Sequence, residues 1–97
     1  MKLRITSEDL RLRLAREDIA SIAAGEGVRE TLRLPDGDLH VELLCEGEEI
    51  GAALAGGTIR VRVPVAQATQ WAVSDEVTLS AELPHTRIII EKDLRPG

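Results

Sequence analysis

Four arginines carry the spacing best suited to binding chemistry: Arg11 with Arg13, and Arg60 with Arg62. One residue separates the members of each pair, which in an extended strand puts both guanidinium groups on one face. A guanidinium fork holds phosphate or carboxylate through two parallel hydrogen bonds, so four together would make an anion- or partner-binding surface. The competing expectation is that they are ordinary solvent-facing residues opposite Glu and Asp on neighbouring strands. Other chemistry-bearing residues are poorer candidates. His40 and His85 lie in or beside hairpins without metal-ligand spacing and read as structural. Ser74 and Asp75 fall where a helix gives way to a strand, a common place for turn formers and a poor one for a triad. The Gly56-Gly57 pair lacks the Lys-Ser/Thr of a phosphate loop, and Cys45, after an apolar strand, reads as an inert thiol. No catalytic residue, metal or cofactor is therefore expected.

The elements that must carry these residues follow from hydrophobic period. Leu3 and Ile5 alternate with Lys2 and Arg4, a short strand with one buried face, and Leu10, Leu12 and Leu14 make a second. Ile19, Ile22 and Ala23 form the stripe of a short helix that Gly25 and Gly27 can end, although Ala15 is a poor residue to start it. Residues 28–34 and 39–43 read as a hairpin around Pro35, Asp36, Gly37 and Asp38. A thin strand over 50–54 precedes Ile59, Val61 and Val63, then a helix with Ala68, Trp71 and Ala72, then a second hairpin over 77–92. The core is placed at Leu12, Leu14, Ile22, Val61, Val63, Trp71, Val77 and Ile90.

These elements occur twice, 49 positions apart and without a gap. Arg11 and Arg13 become Arg60 and Arg62, the stripe Ile19, Ile22, Ala23 becomes Ala68, Trp71, Ala72, and Leu34-Pro35 recurs as Leu83-Pro84. Leu39, Val41 and Glu42 recur as Ile88, Ile90 and Glu91. The chain reads as one domain, 1–97, with an internal repeat over 1–45 and 50–94. A unit of under about 50 residues exposes a hydrophobic face it cannot cover alone, so its twin covers it.

The composition limits the partners. With 97 residues, 43% hydrophobic and 30% charged, the chain suits one globular domain. Trp71 is its sole aromatic residue, so no platform exists for stacking bases. The net charge of -5 arises from twelve basic and seventeen acidic groups, the excess lying at Asp36, Asp38, Glu42, Glu46, Glu48 and Glu49. A charge run of this kind is a solubilising face or a dock for a basic partner. A single cysteine and no apolar run of membrane-spanning length lead to the expectation of a cytoplasmic protein away from the membrane.

The stretch TIRVRVPVAQATQWAVSDEVTLSAELPHTRIIIEK, residues 58–92, resembles the AbrB and MazE type of swapped-hairpin unit. The resembling features are Val63-Pro64 ending a strand, the helix containing Trp71, the acidic turn at Ser74, Asp75 and Glu76, and the hairpin that follows. The first half resembles it more weakly, because Ala15 replaces the proline. The resemblance implies an α+β fold in which two strand-strand-helix-strand-strand units close one small β-barrel, a pseudo-dimer within one chain and hence a monomer. The opening MKLRIT, the central IRVRVP and the closing IEKDL are also similar to a family of uncharacterised small bacterial proteins. The function expected is a non-enzymatic interaction module that binds a protein. The alternative is an AbrB-like nucleic-acid-binding regulator or antitoxin, disfavoured by the net negative charge and by connectors, residues 6–9 and 55–57, that carry no basic residue.

Overall fold

The computed structural model describes residues 1–95. In chain order the elements are β1 (Lys2–Ile5), β2 (Asp9–Leu14), α1 (Arg16–Ala23), β3 (Val28–Leu34), β4 (Gly37–Cys45), β5 (Gly51–Ala55), β6 (Thr58–Val63), α2 (Val65–Val73), β7 (Thr78–Leu83) and β8 (Thr86–Lys92). Element types and order recur at the 49-residue offset. Alternation decides the strand faces: in β2, Leu10, Leu12 and Leu14 are buried while Arg11 and Arg13 are not. Helix α1 starts at Ala15 through Asp18, whose Oδ2 accepts the Ala15 backbone N–H at 3.0 Å, and Pro64 precedes α2 with the φ of -51° its ring imposes. The two-residue loop Gly56-Gly57 joins β5 to β6 with φ of 55° and 76°, left-handed values that a side chain would strain.

The strands form two four-stranded sheets, in the orders β1-β2-β8-β7 and β3-β4-β6-β5. Each sheet joins one hairpin from each half of the chain, antiparallel within hairpins and parallel where the halves meet, β2 with β8 and β4 with β6. Both sheets are open, each with two edge strands, where the sequence reading expected a closed barrel. The helices follow the C-terminal ends of β2 and β6 and pack on each other. The hairpin turns lie at the opposite end.

The core lies between the sheets and under the helices. Leu12, Leu14, Ile22, Val61, Val63, Trp71 and Ile90 are buried there as expected, joined by Leu10, Val41, Leu43, Ala68, Ala72 and Ile88. Two expectations need correction. Val77 is 43% exposed, because it just precedes β7, an edge strand with solvent on its free side. Ile5, on the inward face of edge strand β1, is 60% exposed.

The halves are not related by perfect symmetry. Their hairpins share one register, but the parallel pairings differ: Leu10 pairs with Ile88 and Leu12 with Ile90, whereas their counterparts Ile59 and Val61 pair with Val41 and Leu43. Symmetry would have set Ile59 beside Leu39. The slip of two residues moves β4 by about 6–7 Å at ~3.3 Å per residue, and an even slip leaves every side chain on its own face.

Candidate functional site

The slip decides what the four arginines do. Arg11 and Arg13 lie on the outer face of one sheet, Arg60 and Arg62 on the outer face of the other, so the two pairs do not come together. On the first face Glu91 stands beside Arg13 in register and serves both cations. The Nη1 of Arg11 donates to its two carboxylate oxygens at 3.3 and 3.4 Å, and the Nε of Arg13 donates at 3.0 Å. On the second face the counterpart carboxylate, Glu42, stands beside Arg60 instead and accepts its Nε at 3.0 Å, with Arg29 at 3.9 Å. Arg62 is left facing Leu44 and has no ion pair among the described residues. Opposition to carboxylates thus accounts for Arg11, Arg13 and Arg60.

A feature of the first face was not read from the sequence. Lys2 stands opposite Arg13 and Arg4 opposite Arg11, so four cations surround a recess of about 270 Å3. Like charges directly opposite repel. Glu91 offsets part of this repulsion and Asp93, 4.0 Å from Lys2, a little more.

Between the sheets, at the end away from the helices, is an open apolar groove of about 610 Å3, within the roughly 300–1,000 Å3 of pockets that hold ligands. Its lining includes residues 49 positions apart, Ile5 and Leu54, and Leu10 and Ile59, so both halves of the chain contribute corresponding strands to it. One wall is Leu83, Pro84, Thr86 and Ile88 of the β7–β8 hairpin. Their counterparts Leu34, Pro35, Gly37 and Leu39 do not line it. The slip has carried that hairpin tip past the start of β6, leaving Leu34 52% exposed and the groove unwalled on that side.

Strand β5 borders the groove and is an edge. Its inward residues Ala52 and Leu54 line the groove, with Leu54 74% exposed. Natural edges are guarded by charge, proline or bulges. The other three carry charges: Lys2 and Arg4 on β1, Arg29, Glu30 and Arg33 on β3, Glu82 on β7. The sequence of β5, Gly-Ala-Ala-Leu-Ala, has none.

Lys92 was also missed as a candidate. It is 8% exposed, its Nζ donates to the carbonyls of Trp71 at 2.9 Å and Ser74 at 2.7 Å, and it lies 5.0 Å from the Trp71 ring centre. The signal was present in the repeat, since 49 positions earlier stands Leu43, a core residue.

The remaining candidates have local partners. The Oγ of Ser74 donates to the Trp71 carbonyl at 2.8 Å and accepts the Glu76 N–H, the turn role expected of it. His40 Nδ1 lies 2.9 Å from Thr31 Oγ1 on the paired strand, and His85 sits in the β7–β8 turn with φ of 68°. Burial pushes the Cys45 thiol pKa up, which keeps it protonated and weakly nucleophilic at neutral pH.

A family model covers residues 1–95 and describes a family of unknown function. The chain belongs to that family, DUF7009. The DUF7009 match spans both halves of the repeat, so the two sheets and the groove between them fall within one family domain. No curated protein matches the chain. Among the described residues no helix is long and apolar enough to cross a membrane.

Proposed function

We propose that the protein is a non-enzymatic interaction module that binds a partner protein at the groove and its bare edge strand. One observation carries this reading: the uncharged β5 edge is continuous with an apolar groove left open by the register slip. Exposed apolar surface next to unpaired backbone is a liability unless a partner covers it. We also read the scaffold as a tandem swapped-hairpin pseudo-dimer of the AbrB type. Support for it comes from the exchange of hairpins between the halves in both sheets. The test is capture from the native host with immobilised wild type and with the folded variant Leu54→Lys. A polypeptide enriched by wild type and lost with the variant supports the reading; enrichment by neither overturns it.

A nucleic-acid-binding regulator or antitoxin is the second reading, favoured by the cation cluster of Lys2, Arg4, Arg11 and Arg13. It ranks lower because the chain as a whole is acidic and its single aromatic residue is buried.

A further inference from the structure

We propose that the occupant of the groove is an extended partner segment that pairs with β5 as a fifth strand, bearing bulky apolar side chains at alternate positions and basic residues at its ends. The inference rests on the interaction-module reading and specifies how the partner is bound.

Backbone comes first. An edge strand offers a row of unpaired N–H and C=O groups, and an added strand satisfies them while setting every second side chain on the inward face. On β5 the inward face is the floor of the groove, through Ala52 and Leu54. A strand paired to the free edge of β5, the edge away from β6 and β4, therefore sets its own inward residues beside Ala52 and Leu54 and extends the apolar floor of the groove at that margin.

Size comes next. A second copy of this chain pairing through its own β5 would bring Ala52 and Leu54 as inward residues, one bulky side chain and one methyl, and so fill less of about 610 Å3 than a bulky residue at each inward position. Side chains of Val, Ile or Leu size at successive inward positions fit that space better. Charge then sets the flanks. The single charged residue lining the groove is Asp9, with Glu8 beside it, and Glu48 and Glu49 lie just ahead of β5. Arg87, beside Asp9 in register, offsets part of the charge of Glu8 and Asp9. Two carboxylates against one cation leave that end negative, so basic ends on the partner complement these carboxylates.

The probe is a synthetic Lys-Val-Thr-Val-Thr-Val-Lys peptide, titrated into the full chain and followed by amide NMR and hydrogen exchange. The expected result is exchange protection of amides in β5, with binding weakened about tenfold or more by Leu54→Lys, or by Glu in place of the terminal lysines. Peptides N-methylated at odd or at even positions sharpen the test, because alternate amides of a strand face opposite edges. One isomer should lose binding and the other keep it. Groove binding that neither isomer disturbs would overturn strand addition while leaving the interaction module intact. No binding at about 1 mM peptide would overturn it as well, with host capture still reporting separately on the module. Protection of β5 in concentrated protein alone, accompanied by a dimer mass, would make a second copy the occupant and refute the proposal.

Discussion

Replacing Lys92 by Met tests whether a buried ammonium closes helix α2. The thioether keeps most of the aliphatic length and removes the charge and its donors. Two acceptors are affected unequally. The Trp71 carbonyl also receives the Ser74 N–H at 3.1 Å and the Ser74 hydroxyl at 2.8 Å, so it stays satisfied. The Ser74 carbonyl receives only Lys92 among the described residues. Leaving a partly buried carbonyl without a donor costs about 1–3 kcal/mol, and the cation over Trp71 adds about 0.5–2 kcal/mol. Against this stands the relief of desolvating an ammonium that has no carboxylate partner among the described residues, several kcal/mol in principle.

The geometry says which effect wins: Nζ makes two carbonyl hydrogen bonds, at 2.9 and 2.7 Å, and lies 5.0 Å from the Trp71 ring centre, so much of the ammonium's desolvation is already recovered in the folded chain. Lys92→Met should therefore destabilise by about 1–3 kcal/mol, and Lys92→Ala by about 2 kcal/mol more for the methylenes lost. Urea denaturation at neutral pH measures both, and on a domain of this size each kcal/mol lowers Tm by about 4–8 °C. A Lys92→Met protein as stable as wild type, or more stable, would refute the argument and leave the lysine as an ammonium tolerated at a net cost.

Four further outcomes are expected. Trp71→Ala should cost about 3–5 kcal/mol, whereas Trp71→Phe should cost less, since it also removes an indole N–H buried without a partner among the described residues; a loss below about 1 kcal/mol for the alanine would put the ring outside the core. The Asp93 carboxyl is held at about 2 by the side-chain and backbone hydrogen bonds from Arg95. Its pKa is depressed, so its stabilisation is full above the ordinary carboxylate range and lost as pH falls through about 2; an NMR titration midpoint near the ordinary ~3.9 would contradict this pairing. Light scattering at micromolar concentration should give the mass of one chain, 10.5 kDa, and twice that value would end the pseudo-dimer reading. Fluorescence anisotropy with mixed duplexes should show weak binding with a log-log salt slope no steeper than about -3.6, from four phosphates at most. Submicromolar binding at about 200 mM salt, abolished by Arg11→Glu/Arg13→Glu/Arg60→Glu/Arg62→Glu, would favour the regulator.

Most of the elements were legible because each carries its own local period. The alternation of Leu10, Leu12 and Leu14, the stripe around Trp71 and the Pro35 and Pro84 turns specify strands, helix and hairpins without reference to the rest of the chain. The pairing between halves has no such signal. A two-residue shift leaves the inward row inward, so the sequence of β4 fits β6 equally well in either register. Yet that shift separates Arg62 from Glu42 and opens the groove. It also spoils any reading of the arginines by symmetry alone: Arg60 and Arg11 are equivalent in sequence, but Arg60 faces its carboxylate directly while Arg11 shares one with Arg13. Lys92 shows the opposite case. Its inward parity was fixed by Ile88 and Ile90, and the repeat aligned it with Leu43, so its burial could have been inferred; its charge argued for the surface, and two helix-end carbonyls overrule that. In this fold the departures from symmetry, more than the repeated pattern, mark where binding surfaces and buried charges arise, because two halves that matched fully would wall the groove from both sides.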